Sequence, residues 1–400
     1  MGSLERLFNR NFILLAVASL FMFTGFYLVM PIIAKYVVDR FHADSSMAGV
    51  VAASYIITAL LTRPFSGYLV DRFDRRKFYL TSFSIFALLF TGYIISTSVA
   101  GLIMTRILLG ASFSLVTTAA NTLAIDVIPS SRRGEGIGYY GAIIVLAMAI
   151  GPMLGLYMIE LFDYRELFIM AAVSCWLGVA IGSFVKSKPR EPIIHEALSI
   201  DRFFLREGMP IASVIALMYF LYGTLMVYIA LYVGESGLDI NSGNFFLLLA
   251  LGIIIARTVA SRALRLGLND LIVKIGSLTI IGAASIFIFF LNSITFPISS
   301  ILLGVGFGMV APSIQSMIVD LVPAHRRGTA NSTYFIALDL GSGIGMLVGG
   351  TIAHWWSFQA LYAIGLLLVV AAVLFYVFYA RRDYSEKISR KNLNSTCKCN

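Results

Sequence analysis

The chain has 400 residues, of which 59% are hydrophobic and only 13% are charged. A water-soluble protein of this length needs far more charge to cover its surface, so the apolar excess must face lipid. The formal net charge of +9 does not indicate a nucleic-acid partner, because the basic residues lie in short segments between long apolar runs.

Twelve apolar segments follow one another along the chain, and each can cross a hydrocarbon core ~30 Å thick as a helix. In the first half they are residues 12–34, 47–70, 78–97, 101–125, 136–160 and 165–186. In the second half they are residues 209–234, 243–266, 271–292, 296–320, 331–353 and 358–380. The runs are continuous rather than alternating, which excludes a β-barrel. The sequence therefore predicts an all-α polytopic membrane protein with 12 transmembrane helices.

The distribution of positive charge predicts the orientation of these helices. Of the 30 lysines and arginines, 24 lie in the termini and in alternate loops, on one side of the map. The opposite side has only Lys35, Arg40 and Arg165, while Arg63, Arg106 and Arg257 lie inside spans. The positive-inside rule then places both termini in the cytoplasm. We expect a multi-pass protein of the plasma membrane, in a bacterium the inner membrane.

The second half of the chain repeats the first at an offset of 194 residues: Ile107–Gly110 recurs as Ile301–Gly304, and Asp126 matches Asp320. The offset covers six spans, an even number, so both copies cross the membrane in the same direction. We expect two pseudo-symmetric six-helix bundles, residues 1–186 and 209–384, with a cytoplasmic linker at 187–208 and a cytoplasmic tail at 385–400. A substrate cavity between two such bundles can open to either side in turn.

The segment after the second span reads Gly67-Tyr-Leu-Val-Asp71-Arg72-Phe-Asp74-Arg75-Arg76-Lys77. It resembles the loop 2–3 signature of the major facilitator superfamily, Gly-x-Leu-x-Asp-Arg-x-Gly-Arg-Arg, with Asp74 where the family has glycine. An ordinary basic loop explains the arginines but not the spacing of the glycine and the first aspartate. The resemblance implies the 12-helix fold of that family and a transport function.

The same resemblance implies a gate at this loop. In the family, the acid that corresponds to Asp71 meets a helix end of the other half, and the arginine that corresponds to Arg75 pairs with an acid at the base of the fourth span, here Asp126. The expected gating set consists of Gly67, Asp71, Arg72, Arg75, Arg76 and Asp126, together with the intramembrane arginines Arg63 and Arg257.

Two further motifs point to the efflux branch of the family. Gly141 and Gly151-Pro152-Met-Leu-Gly155 in the fifth span resemble the pattern of its drug:proton antiporters, although close helix packing also explains the glycines. Arg106-Ile-Leu-Leu-Gly110 in the fourth span resembles an Arg-x-x-x-Gly element of the family. The guanidinium either points into the cavity or extends along the helix to the outer surface.

Asp339 alone among the 21 acidic residues lies well inside a predicted span, and its repeat mate is Val145. Desolvation favours the protonated form of a carboxyl, so this residue is a candidate proton carrier or substrate contact. The alternative is a structural pair with an intramembrane arginine. Asn121 and Gln315, which are repeat mates, and the tyrosines Tyr222, Tyr228 and Tyr334 are further candidates for the cavity, although tyrosines near span ends commonly anchor at the interface.

These observations predict a proton-coupled exporter of a small molecule that works by alternating access as a monomer in the lipid bilayer. The first alternative is a proton symporter that imports a sugar, organic acid or peptide. The second is a receptor or assembly factor that has a transporter fold and transports nothing. We expect no enzyme activity, cofactor, metal ion or nucleic-acid partner, because no nucleophile–base pair, carboxylate pair, nucleotide-binding loop or metal cluster is visible.

Overall fold

The computed structural model describes residues 8–129, 133–186, 205–265, 268–322 and 327–396, and within these ranges every regular element is helical. The first half contains α1 (Arg10–Phe41), α2 (Ser45–Arg72), α3 (Arg75–Leu89), α4 (Thr91–Ile95), α5 (Val99–Val127), α6 (Arg133–Met158) and α7 (Tyr164–Ser183). The second half contains α8 (Met209–Glu235), α9 (Gly243–Arg265), α10 (Asn269–Phe289), α11 (Thr295–Asp320), α12 (Arg327–Trp355), α13 (Phe358–Phe375) and α14 (Arg381–Thr396). The predicted all-α class is confirmed.

Within the described ranges, 11 helical segments are long and apolar enough to cross a membrane. The twelfth apolar segment is the shorter helical stretch Gly243–Ala256 in α9. The third predicted span, 78–97, consists of two helices, α3 and α4, which meet at Phe90 and together form the candidate span Arg75–Ile95. The 12-helix prediction is therefore confirmed, and several helices extend beyond the apolar residues that revealed them.

Polar side chains cap several helices at their first residues. Asn9 Oδ1 accepts a hydrogen bond from the backbone N–H of Phe12 at 2.9 Å, which begins α1. Asp44 does the same for α2 at 2.8 Å, and Ser357 for α13 at 3.0 Å. These bonds satisfy N–H groups that have no acceptor inside the helix. These three helices thus begin where the sequence supplies a side-chain oxygen.

The chain folds into two compact units. One unit contains α1–α7 and the short stretch Asn241–Phe246, and the other contains α8, the rest of α9 and α10–α14. Residues 187–204, most of the predicted linker, lie outside the described residues. Just after them, the backbone N–H of Leu205 donates to Thr333 Oγ1 at 2.7 Å, so the first described residue of the second unit makes a buried contact with α12.

The helix packing follows the sequence repeat. In the first bundle α1 packs on α6 and α7, and α2 packs on α5. In the second bundle α8 packs on α12 and α13, which correspond to α6 and α7 at the offset of 194. Gly151 of α6 lies against α1 at Thr24, and its repeat mate Gly345 of α12 lies against α8 at Phe220. The sequence repeat is therefore also a repeat of helix contacts.

The chain does not end its regular structure with the last span. A π-helical turn at Tyr376–Ala380 leads from α13 directly into α14. The predicted boundary between bundle and tail, at 384/385, falls inside α14. A π-helical turn places the residues after it at a different angle around the helix axis, and such turns are frequent at functional sites.

Candidate functional site

One end of the first bundle, where α2 gives way to α3, carries Arg72, Arg75, Arg76 and Lys77 and is called the basic end. Asp74 makes the turn between the two helices with a φ of −57°, so no left-handed residue is required there. Its carboxylate also caps α3 by accepting from the backbone N–H of Lys77 at 2.8 Å. An aspartate can therefore stand where the family signature has glycine, because the turn needs no left-handed residue and the aspartate side chain caps α3.

The structure brings together two residues of the predicted gating set. Arg75 Nη1 lies 2.7 Å from each carboxylate oxygen of Asp126. The side chains are 14% and 27% exposed, respectively. This ion pair joins the start of α3 to the last turn of α5. A partly buried charge-assisted pair is stronger than an exposed one, yet it can still be broken without leaving a charge fully desolvated.

Arg76 connects the same end of α3 to α7. Its Nε donates to the carbonyl of Val185 at 2.6 Å and its Nη2 to the carbonyl of Ser183 at 2.6 Å. These carbonyls lie at and just beyond the C-terminus of α7, where the helix has no N–H donors left and its dipole favours a cation. The neighbouring arginines Arg75 and Arg76 thus hold two different helices.

The structure describes the surroundings of the other gating residues only in part. Gly67 and Asp71 lie in the last turns of α2, but their side-chain environment is outside the described residues, as is the side chain of Arg257 in α9. Arg72 is exposed and Arg63 is half-buried within α2. The predicted contact of Asp71 with the other half therefore stays a prediction.

Arg106 is the largest fully buried side chain of the described residues, with 1% exposure. Its Nε donates to the carbonyl of Val51 at 3.1 Å, its Nη2 to the carbonyl of Ala52 at 2.5 Å, and its Nη1 to the hydroxyl of Tyr93 at 3.2 Å. The guanidinium also lies 4.8 Å from the centre of the Tyr55 ring. The side chain therefore does not extend to the outer surface. It fastens α5 to α2 and α4 through neutral acceptors and an aromatic face.

The glycines of α6 separate into two kinds. A Cβ at Gly151 would lie 2.7 Å from Tyr27 Cβ, and a Cβ at Gly155 would lie 2.5 Å from the carbonyl oxygen of Leu28. These two residues, with Pro152 buried between them, allow α6 to lie directly on α1. Gly141 has no described neighbour within 4 Å of such an atom. Close packing therefore accounts for part of the antiporter-like pattern and not for Gly141.

Asp339 lies in the first half of the candidate span Thr333–Trp355 of α12, and it is half-buried. Ser342, one turn later, uses its hydroxyl to bond the carbonyls of Leu338 and Asp339, at 2.8 and 3.3 Å. Gly341 brings α12 into contact with α8 at the carbonyl of Ala216. The acid thus stands on a helix that packs closely against α8.

The remaining cavity candidates occupy different environments. Asn121 is exposed on α5, and Gln315 is half-buried on α11. Tyr228 is fully buried, and its hydroxyl donates to the carbonyl of Met346 at 2.5 Å, so it joins α8 to α12. Tyr222 packs against Tyr219 and Phe307, at centroid distances of 5.0 and 5.2 Å. Tyr334 is also buried.

Sequence reasoning did not find the partners of Arg106, because two of them are backbone carbonyls, which any residue provides. It also overlooked Asp270, which binds Arg381 and Tyr376 at the start of α10. A signal was available for this residue: Asp270 is the repeat mate of Arg76, and a reversed charge at an equivalent position indicates a changed partner.

Comparison with known proteins supports one family. The family model described as Major Facilitator Superfamily matches residues 15–295 and 272–395. The Staphylopine export protein of Staphylococcus aureus is 23% identical over 351 residues, which cover 83% of this chain and 87% of that protein. Multidrug resistance protein 2 of Bacillus subtilis is 27% identical over 194 residues, 48% of this chain and 46% of that protein.

Solved structures with the same fold include the human organic anion transporter MFSD10, with a TM-score of 0.70 and 17% identity. That similarity covers 92% of this chain and 98% of the other. A mutant of the nucleoside transporter NupG superposes with a TM-score of 0.74 at 15% identity, covering 93% of this chain and 100% of the other. At such identities these likenesses describe the fold alone.

Proposed function

The chain belongs to the Major Facilitator Superfamily, a family of secondary transporters rather than enzymes, and from this premise we propose that it exports a small molecule in exchange for protons. The two bundles alternate between states open to either side of the membrane. No nucleotide hydrolysis enters the cycle, because the proton gradient drives it.

The observation that carries the proton coupling is the position of Asp339. A carboxyl at the depth of a membrane span is costly when ionised and is seldom kept there for packing alone. The equivalent position of the first bundle holds Val145, so the repeat does not require an acid at this point. A carboxyl group that gains and loses a proton as its surroundings change between the two states couples proton movement to the transport cycle.

Export is supported by two observations. The Gly151-Pro152-Met-Leu-Gly155 pattern of α6 resembles that of antiporters, and Gly141, which packing does not explain, belongs to the same pattern. The relatives include a protein named for staphylopine export and one named for multidrug resistance. These names describe those proteins, and they favour an outward direction of transport for this chain.

We place the basic end of the first bundle in the cytoplasm, following the positive-inside rule. In this orientation the Arg75–Asp126 pair closes the cytoplasmic end of the first bundle. Asp71, in the last turn of α2, is the third member of this gate. The relatives from bacteria favour a location in the plasma membrane.

The proposal is tested with purified protein in proteoliposomes. A thermal-shift screen of drugs and metabolites first identifies a ligand, and transport of that ligand is then measured with an imposed pH gradient and by counterflow without one. We expect Asp339→Asn to lose gradient-driven transport and to retain counterflow, because the amide keeps the shape of the carboxyl but cannot exchange a proton. Asp239→Asn, an exposed acid outside the spans, is the matched control and should behave like the parent.

Three results would contradict the proposal. If Asp339→Asn drives the ligand against a gradient as the parent does, Asp339 is structural and carries no coupling proton. If the parent binds the ligand but shows neither counterflow nor gradient-driven movement, the chain acts as a receptor or assembly factor. Uptake in place of export under an inward proton gradient identifies a symporter.

A further inference from the structure

A groove with a volume of about 340 Å³ opens at one end of the second bundle, where α8 and α10 end and α13 begins. It is called the far groove, because it lies at the opposite end of α8 from the linker. Ligand pockets in proteins begin at roughly this size, about 300 Å³. Six of its lining residues carry the argument: Tyr232, Glu235 and Ser236 from the end of α8, Ile288 and Phe289 from the end of α10, and Gln359 from the first turn of α13.

The polar part of the lining presents hydrogen-bond acceptors. Glu235 contributes a carboxylate at the last residue of α8. Ser236 donates its hydroxyl proton to the carbonyl of Val233 at 2.7 Å, so the lone pairs of its Oγ remain for a ligand. Gln359 donates from Nε2 to the carbonyl of Ile288 at 3.1 Å, which leaves Oε1 to accept. A ligand that fits these groups must itself be a donor.

The electrostatic surroundings favour a positive charge in the far groove. This end of the second bundle has no lysine or arginine in its sequence, since residues 209–256, 275–325 and 328–380 contain neither. Two helices, α8 and α10, end at the groove, and the C-terminal end of a helix dipole attracts cations. α13 begins there, but Ser357 Oγ accepts from the backbone N–H of Ala360 at 3.0 Å and so caps that helix.

The sequence repeat shows that these groups are particular to the second bundle. At the offset of 194, Gln359 corresponds to Arg165, and Glu235 corresponds to Phe41. The first bundle thus has a cation where the second has a neutral amide, and an aromatic ring where the second has a carboxylate. Both differences make this end of the second bundle more negative. The shared fold alone therefore does not account for the acceptors of the far groove.

The rest of the lining is apolar and continues onto exposed apolar side chains. Ile288 is buried, whereas Phe289 is 59% exposed. Phe290 and Ile294, which follow it in the chain, are 66% and 74% exposed. These residues come at the end of a candidate span, so they lie near the boundary between hydrocarbon and lipid headgroups. A ligand of the groove therefore combines its charge with an apolar chain.

A metal ion does not match this lining. Calcium takes six to eight oxygen ligands, and magnesium binds through one or two carboxylates with nearly ideal octahedral geometry. The far groove has one carboxylate. Across the described part of the chain, no group of three or more His, Cys, Asp or Glu side chains could hold a metal ion. An ammonium group, by contrast, carries several N–H donors and one positive charge and needs no fixed coordination geometry.

We propose that the far groove binds an organic ammonium group that carries an apolar chain. Glu235 pairs with the charge, and Ser236 and Gln359 accept hydrogen bonds from it. The hydroxyl of Tyr232 is a further acceptor, and Phe289 contacts the chain. Two sources supply this chemistry, the headgroup of an aminophospholipid and a soluble alkylamine. The inference goes beyond the proposed function, because it depends neither on protons nor on the direction of transport.

The chain contains a fluorescent reporter next to the far groove. Trp355 and Trp356 directly precede the lining residue Ser357, and they are 75% and 71% exposed. Trp176, on α7, is the third tryptophan of the chain. With Trp176→Phe, tryptophan emission therefore reports on this end of the second bundle alone. The emission of the full-length protein is measured in a maltoside detergent as a probe is added.

Two pairs of probes separate the charge from the chain and one source from the other. Dihexanoyl phosphatidylethanolamine is compared with dihexanoyl phosphatidylglycerol, which has the same chains and no ammonium group. Hexylammonium is compared with hexanol. We expect a saturable change of emission with an ammonium probe and not with its partner. Saturation by the phosphatidylethanolamine identifies a lipid site, and saturation by hexylammonium alone identifies a soluble amine as the ligand.

Glu235→Gln should weaken binding of the ammonium probe by at least roughly 10-fold, as for loss of a hydrogen bond to a charged group. Gln359→Arg should abolish binding, because it introduces the cation of the first bundle. The arginine can still donate to the carbonyl of Ile288, so the link between α13 and α10 is kept. Asp239→Asn, which removes an exposed acid from the same end outside the lining, is the matched control and should bind like the parent.

The absence of a saturable change with both ammonium probes would overturn the proposal, as would unchanged binding in Glu235→Gln. An equal loss in Asp239→Asn would show a general effect of surface charge, and equal saturation by hexanol or phosphatidylglycerol would show recognition of the chain alone. Displacement of the probe by magnesium at constant ionic strength would identify a metal site instead. Asp339→Asn should leave the binding unchanged, and its loss there would place the ligand at the transport site. Because no transport is measured, failure of the far groove leaves proton-coupled export untouched.

Discussion

Gly110 of α5 lies against the carbonyl oxygen of Tyr55 in α2, so closely that a Cβ atom at Gly110 would overlap it. The same relationship recurs 194 residues later, between Gly304 of α11 and the carbonyl of Leu249 in α9. Thr58 of α2 adds a hydrogen bond to the first of these contacts. Its Oγ1 donates to the backbone carbonyl of Ile107, which lies one turn before Gly110 in α5, at 2.8 Å. The repeat mate of Thr58 is Gly252, which reaches the equivalent carbonyl, that of Ile301, by direct backbone approach.

The two bundles therefore preserve one helix contact by different chemistry, a hydroxyl bridge in the first and a glycine in the second. Small residues at a membrane helix interface allow backbones to approach, and the approach itself provides the dispersion contacts that lipid cannot. The contact of the first bundle, which comprises Tyr55 and Thr58 of α2 with Ile107 and Gly110 of α5, is called the α2–α5 seam. We expect added volume at this seam to destabilise the fold more than the loss of the Thr58 hydroxyl does.

The first prediction concerns that added volume. Gly110→Ala should lower the thermal midpoint in detergent and reduce the yield of folded protein, because the new methyl group meets a backbone atom that cannot rotate away. Overpacking of this kind costs about 1–3 kcal/mol. Gly141→Ala is the control: with no described neighbour within 4 Å, it should be neutral or stabilising through its better helix propensity. If Gly110→Ala and Gly141→Ala lower the thermal midpoint equally, the close approach at Gly110 does not determine the stability of the fold.

The second prediction concerns Arg106. Arg106→Lys should destabilise the first bundle by about 1.5–3 kcal/mol, because one ammonium group cannot reach the carbonyls of Val51 and Ala52 and the hydroxyl of Tyr93 together. Thermal unfolding in detergent measures the change. Thr58→Val, which removes one neutral hydrogen bond from the same seam, should cost less. A lysine variant as stable as the parent would mean that the three hydrogen bonds of the Arg106 guanidinium contribute nothing to stability.

The third prediction concerns the gate of the first bundle. Asp126→Asn and Asp71→Asn should slow turnover while ligand binding survives, and the thermal midpoint should change little, since a partly exposed ion pair contributes only about 0–1 kcal/mol. Binding is followed by thermal shift and turnover by counterflow. The exchanged pair Arg75→Asp with Asp126→Arg should recover part of the lost turnover. Normal turnover in both single variants would show that this pair does not limit the cycle.

The fourth prediction concerns orientation. After Cys397→Ser and Cys399→Ser, thiols introduced by His42→Cys or Asp239→Cys should react with an impermeant maleimide in intact cells. Thiols introduced by Lys77→Cys or Glu386→Cys should react only after the membrane is permeabilised. All four positions lie outside the twelve apolar segments of the sequence. The reverse pattern would invert the topology and place the Arg75–Asp126 pair on the outer face.

The number of spans, the internal repeat and the family could be read from the sequence, because each depends on local composition or fixed spacing. A membrane helix must satisfy its backbone internally and cover itself with apolar side chains, so it leaves a continuous run of about 20 residues whatever its neighbours are. The pairing of Arg75 with Asp126 was also predictable, because the resemblance connects two motifs at known positions. Asp339 was recognised for the same kind of reason, as a charge where the local environment disfavours one.

Only the tertiary structure decided what these groups touch. Arg106 carried no sign of its partners, since Val51 and Ala52 contribute backbone carbonyls that no residue type marks. Arg381 binds Asp270 from far along the chain, through a helix whose polar sequence resembles any exposed tail. The direction of a side chain depends on how helices are rotated about their axes, and helix rotation is set by the packing of many residues at once rather than by a local pattern.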